Sequence, residues 1–165
     1  MLNTLHIVSL QVPWPADYGG VMDIFHKIRL LRKSGWSIHL HTFIYSRDRA
    51  PMLEDLCEKV YYYPRKTGFR SQMSSLPYIV SSRKSDALLK NLMKDDHPVL
   101  FEGIHSTYLL DHPCLRDRIK VLRSHNIEHH YYMGLARSEV SLWKKLFYLT
   151  ESVKLRMYQP RLRHA

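Results

Sequence analysis

Residues 5–35 read LHIVSLQVPWPADYGGVMDIFHKIRLLRKSG: a strand, a loop with two prolines and a Gly-Gly pair, then a helix. Leu5–Leu10 is short and apolar, with β-branched Ile7 and Val8, as a strand buried on both faces should be. Pro13 and Pro15 stop regular pairing. Gly19-Gly20 lets the backbone turn tightly, expose N–H groups and enter a helix. Val21, Ile24, Phe25, Ile28 and Leu31 then recur at helical spacing, with His26, Lys27, Arg29, Arg32 and Lys33 on the other face. Gly35 stops the helix as a residue just past its end. Free N–H groups and the positive end of the helix dipole point the same way, which makes an anion site. An ordinary βα turn has the same elements, and this stretch alone leaves both readings open.

The pattern continues outward. Trp36–Tyr45 alternates as a second strand, with His39 and His41 on one face and Ile38, Leu40 and Thr42 on the other. Arg47–Pro51 reads as a loop, Met52–Glu58 as a short helix and Lys59–Pro64 as a strand ended by proline. From Arg65 to Lys90 there are six basic residues and one acid, Asp86, a run read as a solvated face or as a basic edge for an anionic or lipid-linked substrate. Ser82–Asp95 is expected to be helical with Ala87, Leu88, Leu92 and Met93 inward. Val99–Gly103 is a strand, Ser106–Leu110 a helix and Arg118–Ser124 a strand. Ser138–Arg163 is one long helix or two, capped by Ser138, its stripe of Leu142, Leu146, Leu149 and Val153 packed on the sheet or, with the basic residues around it, lying on a membrane. Strands alternating with helices predict a doubly wound parallel α/β sheet flanked by helices.

The 165 residues suit one domain, and Lys plus Arg exceed Asp plus Glu by 25 − 15 = 10. That excess favours an anionic partner: nucleotide phosphate, nucleic acid or an anionic membrane surface. Cys57 and Cys114 form no disulfide framework and read as reduced thiols of a cytosolic protein. No secretory leader is visible at the N-terminus, and no apolar run reaches the roughly 18 residues of a membrane span. Polar residues collect at three strand ends: the Gly19-Gly20 loop, Glu102–His105 and Arg123–Glu128. In open α/β sheets that is the ligand-binding face.

Several chemistries are excluded by pattern. The dinucleotide fingerprint G-x-G-x-x-G is absent, and Thr42-Phe43-Ile44-Tyr45 stands where an acid would hold a ribose. No P-loop lysine with Ser or Thr follows the glycines, and no serine sits in a nucleophile elbow. His125, Glu128, His129 and His130 have no recognisable zinc spacing, and His39 with His41 reads as a satisfied core pair, so no metal is expected.

Pro13-x-Pro15-x-Asp17-x-Gly19-Gly20, followed by a striped helix closing on Lys33-Ser34-Gly35-Trp36, resembles the opening of family 4 glycosyltransferases of the GT-B fold. Phe101-Glu102-Gly103-Ile104-His105 resembles that family's strand end with a histidine. Arg123-Ser124-His125-Asn126-Ile127-Glu128 looks like its R-x-H-N-x-E strand end, and Tyr158-Gln159-Pro160 like the end of the helix before the interdomain crossover. The resemblance implies that residues 1–165 are the N-terminal, Rossmann-like, acceptor-side half of a two-domain enzyme. The C-terminal nucleotide-sugar domain, with its E-x7-E motif, would be absent from this chain. It implies a retaining, metal-independent transfer from a nucleotide sugar to a glycan or lipid-linked acceptor, with no cofactor. It implies a cytoplasmic protein that can touch the inner face of the plasma membrane.

The implied site follows residue by residue. Gly19 and Gly20 would bring N–H groups to the donor diphosphate, stabilising charge on the leaving group. His105 would touch the transferred sugar as a catalytic residue. Arg123, His125 and Asn126 would line the acceptor side, Glu128 would act there catalytically, and Asp17 would bind substrate. The alternative is a non-catalytic basic α/β module for nucleic acid or a membrane surface. No RNA-binding signature, helix-turn-helix or basic stripe interleaved with stacking aromatics supports the nucleic-acid form.

Overall fold

The computed structural model describes residues 3–124 and 126–164, without the side chains of residues 69, 70, 161, 163 and 164. Its strands are β1 (Thr4–Val8), β2 (Ser37–Ile44), β3 (Lys59–Pro64), β4 (Val99–Glu102) and β5 (Lys120–Arg123). They form one sheet in the order β3-β2-β1-β4-β5, and every pair is parallel. The chain is a Rossmann-like α/β domain. Growth runs outward from β1 through β2 to β3, then returns to the other side for β4 and β5. The order therefore reverses between β1 and β4, and the crevice beyond their C-terminal ends is where open α/β sheets take ligands.

Helix α1 (Gly19–Lys33) packs Val21, Ile24, Phe25 and Ile28 against one sheet face. There they meet Ile7, Ile38 and Leu40, with Leu53 of α2 (Pro51–Leu56) alongside. Burying each such side chain contributes about 1.5–3 kcal/mol. The other face carries Val8, Phe43, Val99 and Phe101 under Leu88 and Leu92 of α5 (Asp86–Leu92). Ser85 caps α5 by accepting the Leu88 N–H at 3.2 Å. Ala87 and Met93, expected inward, are exposed.

Between β3 and α5 lie two single-turn helices, α3 (Phe69–Gln72) and α4 (Tyr78–Ser81). A 3-10 turn, Ile104–Leu109, follows β4, and another covers Pro113–Leu115. After β5 come α6 (Glu128–Ser138) and α7 (Leu142–Tyr158), which pack on each other. A final 3-10 segment spans Gln159–His164.

The structure corrects the C-terminal reading in two ways. Ser138 ends α6 rather than starting the last helix, its hydroxyl donating to the Gly134 and Leu135 carbonyls, and Ser141 occupies the N-cap of α7. The stripe expected to pack on the sheet faces outward instead, with Leu142 77%, Leu146 52% and Val153 56% exposed. The inner face of α7 is Glu151, Ser152, Leu155 and Tyr158. Its polar members have specific partners. Glu151 accepts the Tyr78 N–H at 2.5 Å and a Lys154 N–H at 2.9 Å, and Ser152 donates to the His129 carbonyl at 2.8 Å. Tyr158 meets the Thr107 hydroxyl at 3.0 Å. These bonds turn the helix about its axis, and the opposite, apolar stripe is left outside.

Candidate functional site

The loop between β1 and α1 lies at the crevice. Arg47, from the loop after β2, donates to the Pro15 carbonyl and to the Asp17 carboxylate, and its guanidinium lies 5.3 Å from the Tyr18 ring centre. The Arg47 hydrogen bond holds the Asp17 carboxyl below its usual range. Asp17 thus anchors its own loop.

Tyr18, in extended conformation, occupies the N-cap of α1 with no side-chain capping bond. The first backbone bond of the helix runs from Met22 N–H to the Tyr18 carbonyl at 2.9 Å, so the N–H groups of Gly19, Gly20 and Val21 lie ahead of the helical ladder. Neither glycine has a positive φ. The tight turn read into Gly19-Gly20 is therefore made by the preceding loop, and the glycines are ordinary first-turn residues. A Cβ at Gly19 would meet nothing within 4 Å, and one at Gly20 only the Tyr18 ring at 3.9 Å. Both positions therefore have room for a methyl group.

Across the switch point, β4 ends in fully buried Glu102, then Gly103 with φ of +76°. Glu102 pairs with Lys27 of α1, and Arg123 at the end of β5 approaches its other oxygen at 4.0 Å. Lys27 also approaches Asp23 at 3.5 Å, and Arg123 donates to Asp23. Four charges from α1, β4 and β5 thus meet at the strand ends. Burial works to raise the Asp23 pKa, but the Arg123 and Lys27 cations outweigh it and lower the carboxyl. The bond to Asp23 holds the Arg123 guanidinium above its ordinary value. Arg123 pairs with Asp23, not with Glu128.

His105 is half-buried on the 3-10 turn after β4. That turn is held by Ser106, which donates to the Glu102 and Gly103 carbonyls, and by Thr107, whose hydroxyl meets Ile104 and Tyr158. Glu128 is the first residue of α6, 7% exposed, and burial pushes its carboxyl up. Asn126 is exposed, and His125 lies outside the described residues. Glu102, His105 and Arg123 thus stand at the ends of neighbouring strands β4 and β5, the glycines open the helix that follows β1, and Glu128 belongs to the helix after β5.

Some polar residues of this region carry no sequence signal. A cavity of about 580 Å³ beside the end of β5 is lined by Ser124, His129, His130, Arg156 and Gln159 together with apolar Ile104, Leu122 and Ile127. His129 Nδ1 lies 2.5 Å from Gln159 Oε1. Arg83, inside the basic run, is 3% exposed and donates to the carbonyls of Leu10 at 2.8 Å and Ile79 at 2.5 Å. Burial pulls its guanidinium down. The run is therefore not a uniformly solvated face: one of its cations braces the loop leaving β1. The only available signal was the spacing of Ile79, Val80 and Arg83 around one turn.

A curated protein of Klebsiella pneumoniae, described as an uncharacterized 44.6 kDa protein in cps region, is 34% identical to this chain over 152 residues. The match covers 88% of this chain and 39% of that protein, so the chain spans about two fifths of the relative's length. No protein-family profile and no solved structure matches the chain. Among the described residues, no helix is long and apolar enough to cross a membrane.

Proposed function

We propose that this chain is the acceptor-side domain of a retaining, metal-independent glycosyltransferase of the GT-B, family 4-like type. The observation that carries the reading is the crevice at the β1/β4 switch point, with an open, uncapped glycine helix start on one side and the His105 turn on the other. Similarity to a protein in a cps region supports surface-polysaccharide assembly as the setting. In this reading a second domain, outside these 165 residues, brings the nucleotide sugar to the crevice. The N–H groups of Gly19 and Gly20 meet the donor diphosphate and stabilise the charge that builds on it. His105 touches the transferred sugar. Glu128, with Asn126, His125 and Arg123, lines the acceptor side, and Asp17 orders the glycine loop.

The test uses the full-length protein containing this chain, with nucleotide sugars and membrane-derived acceptors. His105→Ala should lower kcat by about 100-fold, the scale of one positioned polar group at a reacting centre. Unfolding by urea should be nearly unchanged. Robust transfer by the His105→Ala protein at the wild-type rate would overturn the reading.

A second reading has its own observation. The outer face of α7 exposes Leu142, Trp143, Leu146, Val153 and Met157, with Lys144, Lys145 and Arg156 also at the surface. Apolar and basic residues together on one helix suit an anionic lipid surface. Such contact serves the transferase reading with a lipid-linked acceptor, and serves equally a non-catalytic module. Sedimentation with vesicles should show retention on anionic but not neutral lipid, lost in Trp143→Ser/Leu146→Ser. Equal recovery on both vesicle types would remove the membrane from either reading.

A further inference from the structure

The strands bring three histidines together on the sheet face under α5. His6 pairs in register with His39, and His41 follows two residues later on β2. All three are buried. Asp95, in the chain entering β4, closes the group from the N-terminal end of the strands, opposite the crevice. His6 Nε2 lies 2.8 Å from Asp95 Oδ1, and His39 Nδ1 lies 3.9 Å from Asp95 Oδ2. Donor atoms of His6, His39 and Asp95 all lie within 4.8 Å of one another.

We propose that His6, His39 and Asp95 bind a zinc-type divalent ion that staples β1, β2 and the approach to β4. This goes beyond the transferase reading and does not depend on it. The donor set, two imidazoles and a carboxylate, suits zinc rather than magnesium or calcium. The His39–Asp95 separation is too long for a hydrogen bond, and closing it by about half an ångström brings the two atoms to the spacing of ligands on one tetrahedral ion. The His6 and His39 rings stand edge to face with centres 4.9 Å apart. Two imidazoles on one tetrahedral ion have centres about 5 Å apart, given Zn–N of about 2.1 Å. The half-buried His97 ring, 6.2 Å from both, or a water supplies the fourth position.

The supporting shell is already built. Arg118 donates to Asp95 Oδ1 at 2.9 Å and the His97 N–H does so at 3.1 Å, leaving Oδ2 toward the ion. His6 Nδ1 lies 2.8 Å from His41 Nε2, His41 Nδ1 lies 2.8 Å from the Tyr63 hydroxyl, and Asn91 donates to that hydroxyl at 2.9 Å. Without metal, the His6, His41 and Tyr63 side chains satisfy one another when His6 Nε2–H donates to Asp95, His41 Nε2–H to His6, and Tyr63 O–H to His41. Ligation at His6 Nε2 displaces that proton to solvent, and solvent returns one at the Tyr63 end of the chain, so the proton count is unchanged. The chain then reverses: His6 Nδ1–H donates to His41, His41 Nδ1–H to Tyr63, and Tyr63 O–H to the carbonyl of a turned-over Asn91 amide. A ligand histidine that donates its other N–H is the usual support of a zinc site.

The experiment titrates untagged, chelator-treated protein with Co²⁺ and then Zn²⁺. One equivalent of Co²⁺ should give intense tetrahedral d–d bands that Zn²⁺ removes. His39→Phe keeps a planar ring without nitrogens and should weaken binding by at least about 10-fold, with circular dichroism unchanged. Asp95→Asn should weaken it similarly. His129→Ala/His130→Ala, outside the cluster, should bind as wild type. Absence of tetrahedral bands, or binding that survives His39→Phe and is lost in His129→Ala/His130→Ala, would overturn the proposal.

Discussion

The C-terminal edge of the sheet and its face under α5 hold polar networks of opposite kind. At the C-terminal edge, Asp23, Lys27, Glu102 and Arg123 pair with one another, and only Glu102 is fully withdrawn from solvent, while Arg123 is 41% exposed. On the face under α5, His6, His41 and Tyr63 form a chain across the middle of the sheet, inside the core. Burial lowers His6 to about 4 despite the raising effect of Asp95, and lowers His41 well below the ordinary histidine value. Charge survives where water and counter-charges remain within reach. Where burial outweighs the nearest counter-charge, as it does Asp95 at His6, imidazole and phenol groups are held neutral and satisfy one another. The open edge suits a charged ligand, and the closed face suits holding strands together.

The largest test of this contrast is His41→Ala. It removes the partner of both His6 and Tyr63 and leaves a cavity, so unfolding in urea should show a loss of about 3–5 kcal/mol. A loss under about 1 kcal/mol would show that the histidine chain is not integral to the core.

Acid should come next, measured in chelator. His6 binds a proton at about 4 when folded and near the ordinary 6.5 when unfolded. Below 6.5 the unfolded chain takes up the proton first, so stability is full above that pH and falls until about pH 4. The loss from His6 alone is about 3 kcal/mol. The charged end behaves differently, because the Asp23 pKa is lowered from 3.8 and its contribution disappears only below that pH. Coincident acid transitions in wild type and His6→Phe would break the contrast.

Lys27→Met should cost about 2 kcal/mol, less than a fully buried pair because Lys27 is 22% exposed and Arg123 shares Glu102. The smallest stability effect is expected at the open helix start. Gly19→Ala has room for its methyl and should be neutral or stabilising by up to about 0.5 kcal/mol. The same change should reduce sugar transfer by at least about 10-fold if a diphosphate approaches this backbone. A fully active, more stable Gly19→Ala enzyme would mean that the helix start faces only solvent.

The sheet was legible because apolar runs of strand length between Gly- and Pro-rich breaks have few other solutions. Leu5–Leu10, Trp36–Tyr45 and Val99–Gly103 read this way, and they hold the strands Thr4–Val8, Ser37–Ile44 and Val99–Glu102. The turn of α7 was not legible. Leu142, Leu146, Leu149 and Val153 are the better hydrophobic stripe, yet Glu151 and Ser152 face inward, because Tyr78 and His129 offer them backbone partners from distant parts of the chain. Helix α6 was missed because its start, Glu128-His129-His130-Tyr131, has no apolar period and no capping residue. Within the site, His105 and Arg123 were visible as polar residues ending strands. Asp23 and Lys27 were not, since on α1 they look like any solvated pair one turn apart.

By itself the sequence determined the alternation of strands and helices, the parallel sheet and the strand ends where polar residues gather. These follow from local periodicity and from breakers acting within a few residues. Only the tertiary structure decided that Asp23 meets Arg123 across 100 positions, that Arg83 is buried, and that His6, His39 and Asp95 converge. Strand order and helix rotation set those meetings, and both depend on which distant groups satisfy one another once water is excluded.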